Sequence, residues 1–412
     1  MHMMTEQTTQ RAAPTPLAIP NFRLLWIGQT LFSLAVQFYI VALVWLVLQL
    51  TGSGVALGAV LTVAAVPRAV TMLFSGIIAD RVEPRVLLAL SALGSATLVG
   101  VIAFLLSIDG MALWALYIIA ALLGLMDAFF YPTALAQVPR LVAPEKLAQG
   151  NAIIATSDNL ANILGPAVSG FLISALGLSL AFGLNAIAFA LGGTIMWRMQ
   201  QRTPLAQAQE TGQARESLGQ ALMTGVRFAW HTPAIRTSLL ILAMLNFAAL
   251  GPVVVGLAAM TEQHFGGDAS LYGVLMATFG GGALLGGILG GLLPALERPR
   301  LVLVWLALGM GGGLIVIGVV EALWVTFAVL ALSGVGAGIV GVIAGSWLQA
   351  RTPDHLQGRM ASLLIFSLVA VDPFSNALAG VLLDLSLPAV FIAGGALMIG
   401  TGLVALFSPK MG

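Results

Sequence analysis

The sequence predicts an all-α membrane protein: twelve transmembrane helices in two six-helix bundles related by a pseudo-twofold axis. Three observations carry this. Of 412 residues, 59% are hydrophobic and 8% charged, with a mean hydropathy of +1.02. A soluble domain has no interior large enough to hide so much apolar side chain. The apolar residues fall in long runs, and about 20 residues of helix cross the ~30 Å hydrocarbon core; a barrel would instead show short alternating segments. Finally, a polar stretch at 199–217 divides the runs into two sets of six. Backbone groups in lipid must pair within their own segment, which makes the runs helices.

The chain opens with a polar, Pro-containing tail, 1–20. Span 1, about 22–49, carries Gln29, Ser33 and Gln37 at i, i+4 and i+8, a polar stripe on one helix face. Lipid rejects such a stripe, so it faces protein or a water-filled cavity. Hydrogen bonding between helices and contact with a substrate are both open readings of it. Span 2, about 54–79, contains Pro67-Arg68 and ends in Gly76-Ile-Ile-Ala-Asp80-Arg81-Val-Glu83-Pro84-Arg85. Spans 3 and 4 run about 86–107 and 112–137, the latter holding Asp127 and Tyr131. Span 5, about 148–175, contains Asp158 and then Gly165-Pro166-Ala-Val-Ser169-Gly170; span 6 covers about 178–198.

Residues 21–198 therefore form the first bundle and 199–217 a linker, and the second bundle is expected over 218–408. It begins with a short amphipathic helix, 218–231, and continues in spans at about 235–260, 269–294, 300–320, 322–348, 357–383 and 388–408. The halves echo each other. Gly76 and Glu83-Pro84-Arg85 answer to Gly291 and Arg298-Pro299-Arg300, although Ala295 stands where Asp80 would fall. Parallel six-span repeats of this kind are a transporter architecture.

Outside span 2, every Lys and Arg falls in the tail, the even-to-odd loops, the linker, the amphipathic helix or the C-terminus, or in the span ends that adjoin them, as Arg23, Arg236 and Arg359 do. The opposite loops hold Asp109, Glu262, Asp268, Glu321 and Asp384 instead. The positive-inside rule then places both termini and the linker in the cytoplasm. The basic residues reflect topology, and no nucleic-acid partner is expected.

Four ionisable residues lie deep in the spans: Arg68, Asp127, Asp158 and Asp372. Each costs about 2.5–3.5 kcal/mol at a helix centre and so needs a partner or water. Arg68, Asp127 and Asp158 lie at similar depth, where either a purely structural ion pair or a proton-coupling site is possible. Tyr39, Tyr131 and Asn246 join the polar stripe as candidate substrate-cavity residues. Small-residue faces recur: Ala161, Gly165 and Ser169 in span 5, and Gly282, Gly286 and Gly290 in span 8. They are expected to let these two spans approach closely across the halves.

Several chemistries drop out. There is no Gly-x-x-x-x-Gly-Lys-Ser/Thr loop for ATP. With four scattered histidines and no cysteine, no metal site or other cofactor is expected. No Ser-His-Asp grouping assembles at membrane depth, so the chain does not read as an enzyme.

The span 2–3 sequence, Gly76-x-x-x-Asp80-Arg81-x-x-x-Arg85, resembles the corresponding loop of the major facilitator superfamily. Gly165-Pro166-x-x-Ser169-Gly170 is similar to the Gly-Pro-x-x-Gly-Gly signature of drug–proton antiporters, with Ser169 replacing one Gly. Ala120 stands where such antiporters often carry an Arg. Pro132, Pro139-Arg-Leu-Val, Leu147 and Asn151 resemble the group of enterobactin exporters and macrolide efflux proteins. The resemblance implies alternating access, with Gly76, Asp80, Arg81 and Arg85 as a cytoplasmic latch against span 11. It implies export of a moderately hydrophobic, drug- or siderophore-like small molecule across the inner membrane in exchange for protons, by a monomer in the lipid bilayer. A proton-coupled importer, a lipid flippase and a non-transporting receptor or assembly subunit are the alternatives.

Overall fold

The computed structural model describes residues 14–79, 82–200, 218–293, 299–353 and 356–407. Most of the expected linker and the latch residues Asp80 and Arg81 lie outside them. The described residues are helical, without strands. In the first half, α1 is Pro20–Thr51, α2 Gly54–Ala79, α3 Pro84–Ser107, α4 Leu113–Leu141 and α5 Leu147–Trp197. At 1.5 Å per residue α5 would be about 75 Å long, far more than a bilayer. It is broken at Gly177 (φ 79°, ψ 166°), a backbone conformation open to glycine, into two arms that serve as spans 5 and 6.

After the amphipathic α6 (Leu218–His231) come α7 (Pro233–Gly251) and α8 (Leu257–Gln263), joined by a π-helical turn, Pro252–Gly256, into one span. Then follow α9 (Ala269–Leu292), α10 (Pro299–Val319) and α11 (Leu323–Ala350). Span 11 is divided into α12 (Gln357–Val369) and α13 (Asp372–Leu385), and α14 (Leu387–Phe407) ends the fold. Eleven apolar segments are long enough to cross a membrane, and one of them holds both arms of α5, giving twelve crossings among the described residues.

The packing repeats after six spans. In the first half α2 packs on α4, and α3 on the second arm of α5; in the second, α9 packs on α11 and α10 on α14. Small residues set these crossings. A β-carbon on Gly124 would overlap the Ala64 carbonyl oxygen, so α2 and α4 touch backbone to backbone. Overpacking typically costs about 1–3 kcal/mol. Gly124→Ala is therefore expected to lower the thermal unfolding midpoint of purified protein; an unchanged midpoint would contradict this crossing.

The same reasoning corrects one expectation. Gly282, Gly286 and Gly290 do not face α5. β-Carbons there would meet Ala331, Val335 and Val342, all on α11. Gly165 and Ser169 in turn face α1: a β-carbon on Gly165 would stand 2.6 Å from Gln37 Cβ, and Ser169 Oγ donates to the Phe38 carbonyl at 3.0 Å. Both small-residue faces hold a half together, which spacing alone does not distinguish from a contact between halves. The first arm of α5 does meet α9, but through Pro166, Gly170 and Gly273.

The second contact between halves joins α2 to α13. Both contacts lie toward the face away from the termini. There Val41–Leu48 of α1 and the eleven residues from Gly251 to Thr261 are buried without interruption, so the two central spans are enclosed on all sides. Asp268 caps α9, accepting from Ser270 N at 3.0 Å and Leu271 N at 3.2 Å. A hydrogen bond from Ser174 of α5, with those from the cap, holds its carboxyl below the usual range. Toward the other face Asn151, Ala152, Ala155, Thr156, Asn159 and Asn162 of α5 are exposed, and the halves part.

Candidate functional site

The deep ionisable residues gather where the halves part. Arg68 and Asp127 form an ion pair, Nε to Oδ2 2.8 Å, with side chains 37% and 18% exposed. The α2–α4 crossing explains it. Arg68 lies four residues beyond Ala64 and Asp127 three beyond Gly124, so the helix period brings both onto the contact face. An Arg68→Gln variant leaves Asp127 without its counter-charge and is expected to unfold at lower temperature. Adding Asp127→Asn should restore most of the loss; a double variant no better than the single one would show that the pair is not coupled.

Asp158 has different company. Ser33 Oγ donates to its Oδ1 at 2.7 Å and Gln29 Nε2 to its Oδ2 at 3.3 Å. One rung away Trp26 Nε1 donates to Ser157 Oγ at 2.7 Å. The polar stripe of α1 thus packs along α5; hydrogen bonding between helices is the reading that fits Gln29 and Ser33, while Gln37 packs against Gly165. Gln29 is 2% exposed and its Oε1 has no partner. Tyr39 is not a cavity residue. Two residues beyond Gln37 places it about 200° further round the helix, and it is buried in the hydrophobic core with its hydroxyl unpaired. Tyr131, one turn beyond Asp127, lies within electrostatic reach of Asp158, Asp127 and Arg68.

The second half contributes Asp372 and Asn246. Asn246 Nδ2 donates to Asp372 Oδ1 at 3.0 Å and to the Leu368 carbonyl at 3.2 Å, bridging the break between α12 and α13. Asp372 is the first residue of α13, with Pro373 next, where a missing N–H costs nothing. Ser375 Oγ anchors α13 to α7, donating to the Phe247 carbonyl at 2.6 Å and accepting from Gly251 N at 2.9 Å. Arg68 also lies within electrostatic reach of Asp372. Above this meeting point Thr62 Oγ1 donates to the Pro373 carbonyl at 2.9 Å, a bond between the halves.

One guanidinium thus faces two carboxylates, Asp127 of α4 and Asp372 of α13, and Tyr131 lies between this group and Asp158 of α5. The apolar cavity lined by Leu239, Ile241, Trp347 and Leu348 lies inside the second half and holds no ionisable group. Among the described residues no cluster of His, Cys, Asp or Glu is arranged to hold a metal. Of the expected latch, Gly76 falls within α2, and Arg85 pairs with Glu83 on its own loop and donates to the Met199 carbonyl at 3.3 Å. Arg85 is therefore bonded to its neighbour Glu83 and to the start of the linker in this conformation.

Sequence reasoning did not anticipate the roles of Ser174, Asp268, Ser53 and Asp384 at the closed face. Asp268 before Ala-Ser-Leu carries an N-cap signal. Asp384 carries none, because the helix it caps is far away in the chain.

A Major Facilitator Superfamily profile matches residues 25–368. The multidrug efflux pump Tap of Mycolicibacterium fortuitum is 28% identical over 386 residues, covering 90% of this chain and 91% of Tap. The enterobactin exporter EntS of Salmonella typhi is 27% identical over 398 residues, covering 94% and 90%. Among solved structures, the nucleoside transporter NupG superposes with a TM-score of 0.75 at 11% identity, covering 94% of this chain and all of that one. A bacterial homologue of the lysosomal transporter Spinster gives 0.70 at 13%, covering 94% and 95%. These last two likenesses concern the fold. The chain belongs to the Major Facilitator Superfamily and is a multi-pass membrane transporter rather than an enzyme.

Proposed function

We propose that this transporter exports a moderately hydrophobic small molecule across the cytoplasmic membrane in exchange for protons. The single observation that carries the reading is the unequal company of the carboxylates. Asp127 faces a guanidinium, whereas Asp158 is held by a hydroxyl and an amide, neither of which requires the charge. Desolvation favours the protonated form of an acid and a neighbouring cation the ionised form. Asp158, whose partners do not depend on its charge, is thus the carboxylate suited to exchange a proton, and Asp127 is the one committed to Arg68.

Gln29 supports this. Its amide offers N–H to the carboxylate, and its unpaired Oε1 would accept from the carboxylic acid after a flip of the amide. Asp372, held by Asn246, is the competing proton carrier in the second half. Three carboxylates against one arginine give the cleft a negative balance, which suits a cationic or neutral amphiphilic cargo over an anion. The similarity to Tap and EntS, named as an efflux pump and an exporter, favours outward movement.

The two bundles, 21–198 and 218–408, would rock about this cleft with 199–217 as their tether. With both termini cytoplasmic, the closed face is external and this conformation opens inward. Cargo would enter the cleft as Asp158 releases its proton inside, and leave as Asp158 is protonated outside. The test is accumulation of cationic, neutral and anionic lipophilic dyes by inverted membrane vesicles, with the pH gradient present and collapsed. Uphill uptake of a cationic or neutral dye that stops when the gradient collapses is the expected result. Gradient-independent uptake, or none of any dye, would overturn the reading.

A further inference from the structure

The closed face carries a contact that the cleft chemistry does not use. Asp384, near the end of α13, sits over the first turn of α2. Its Oδ1 accepts from Gly54 N at 2.6 Å, and its Oδ2 from Ser53 Oγ at 3.2 Å and Val55 N at 3.4 Å. Ser53 Oγ accepts in turn from Ala56 N at 3.2 Å. The first N–H groups of a helix have no intrahelical acceptor. Those of α2 at 54 and 55 find theirs on the other half of the molecule, and a carboxylate is also the charge that a helix N-terminus favours.

The fit is built one turn below. Gly380, four residues before Asp384, approaches α2 so closely that a β-carbon on it would overlap the Gly54 carbonyl oxygen. A β-carbon on Gly58 would stand 2.6 Å from the Asn376 carbonyl oxygen. Small residues on both helices therefore bring the carboxylate over the helix end, as Gly124 does for Asp127. No cation pairs with Asp384 among the described residues.

We propose that Asp384 is the external gate residue: by capping α2 from the opposite half it holds the outer face shut, and its release is the step that opens the cleft outward. The proposal rests on alternating access as described above. It makes Asp384 a determinant of the resting balance between the two conformations, and so of transport rate, without any contact with cargo.

The sequence contains no cysteine, so spin labels go where they are placed. Ile108→Cys and Val320→Cys put one label on an exposed outer turn of each half. Distances between them would be read in lipid nanodiscs for the otherwise unchanged chain and with Asp384→Ala added. Losing a helix cap should raise the outer-open to outer-closed ratio roughly fivefold, seen as growth of a longer-distance population. An unchanged distribution overturns the proposal. A second arm guards against a misfolded variant: Ser53→Cys with Asp384→Cys should cross-link on oxidation, stop transport, and recover with reductant. Failure to cross-link, or full transport while cross-linked, also overturns it. The distances are measured without cargo or gradient, so a failure of proton-coupled export would leave this result standing, and the reverse.

Discussion

Asp158→Asn is expected to abolish gradient-driven accumulation while leaving the fold and downhill exchange intact. An asparagine keeps the size and accepts from Ser33, so α1 and α5 stay in register, but it cannot take up or release a proton. With no proton to exchange, the variant can move cargo only down its own gradient. Counterflow of a labelled dye in liposomes measures the downhill exchange and dye uptake against an imposed pH gradient the uphill step. The parent should show both and the variant only the first. The same pair of assays on Asp372→Asn and Asp127→Asn ranks the carriers: Asp372→Asn should retain uphill pumping. Asp127→Asn, which strips Arg68 of its partner, should impair both assays together. If all three Asn variants pump as steeply as the parent, these carboxylates are structural and the exchange with protons falls.

Gly273→Leu is expected to stop transport by a different route, with the protein arrested open to the outside. A β-carbon at 273 would overlap the Pro166 carbonyl oxygen on α5. This clash exists only in the conformation in which the outer ends of α9 and α5 meet. A cost of 1–3 kcal/mol confined to one of two conformations shifts their balance by about 5- to 150-fold. Labels on the outer turns at Ile108 and Val320 should move apart and uphill uptake should disappear, with yield and thermal midpoint near those of the parent. Gly286→Leu is the contrast. Its neighbour is Val335 of the same half, so the loss there should appear as poor folding. If both substitutions behave alike, the division between interfaces within and between halves is wrong.

The twelve spans were legible because lipid leaves a long apolar run only one structure. The expected 54–79 for span 2 coincides with α2, and 86–107 for span 3 differs from α3 only at its start. The similar depth of Arg68 and Asp127 was legible too, since 1.5 Å per residue converts position into height. Which of the deep ionisable residues meet was not. Arg68 reaches Asp127 because Gly124 lets α2 and α4 touch, and the sequence shows a glycine without showing what lies against it. Gly286 illustrates the same limit: its spacing specified a smooth face and left open which helix covers it. Tyr39 was a cavity candidate as an aromatic within a span, but composition does not tell which way it faces, and it is buried about 200° round the helix from Gln37. Asp384 was noted only as a loop carboxylate. Its partner backbone lies some 330 residues away, a distance that no local pattern spans.

Cargo-induced proton release tests the central claim most directly. Purified protein in detergent, in weakly buffered solution with a pH indicator, would receive the dye that binds it most tightly. If cargo binding and protonation of Asp158 exclude each other, the parent should release protons in proportion to bound dye. Asp158→Asn should bind the dye and release none. An equal release from Asp158→Asn, or none from a parent that binds dye, would contradict the account.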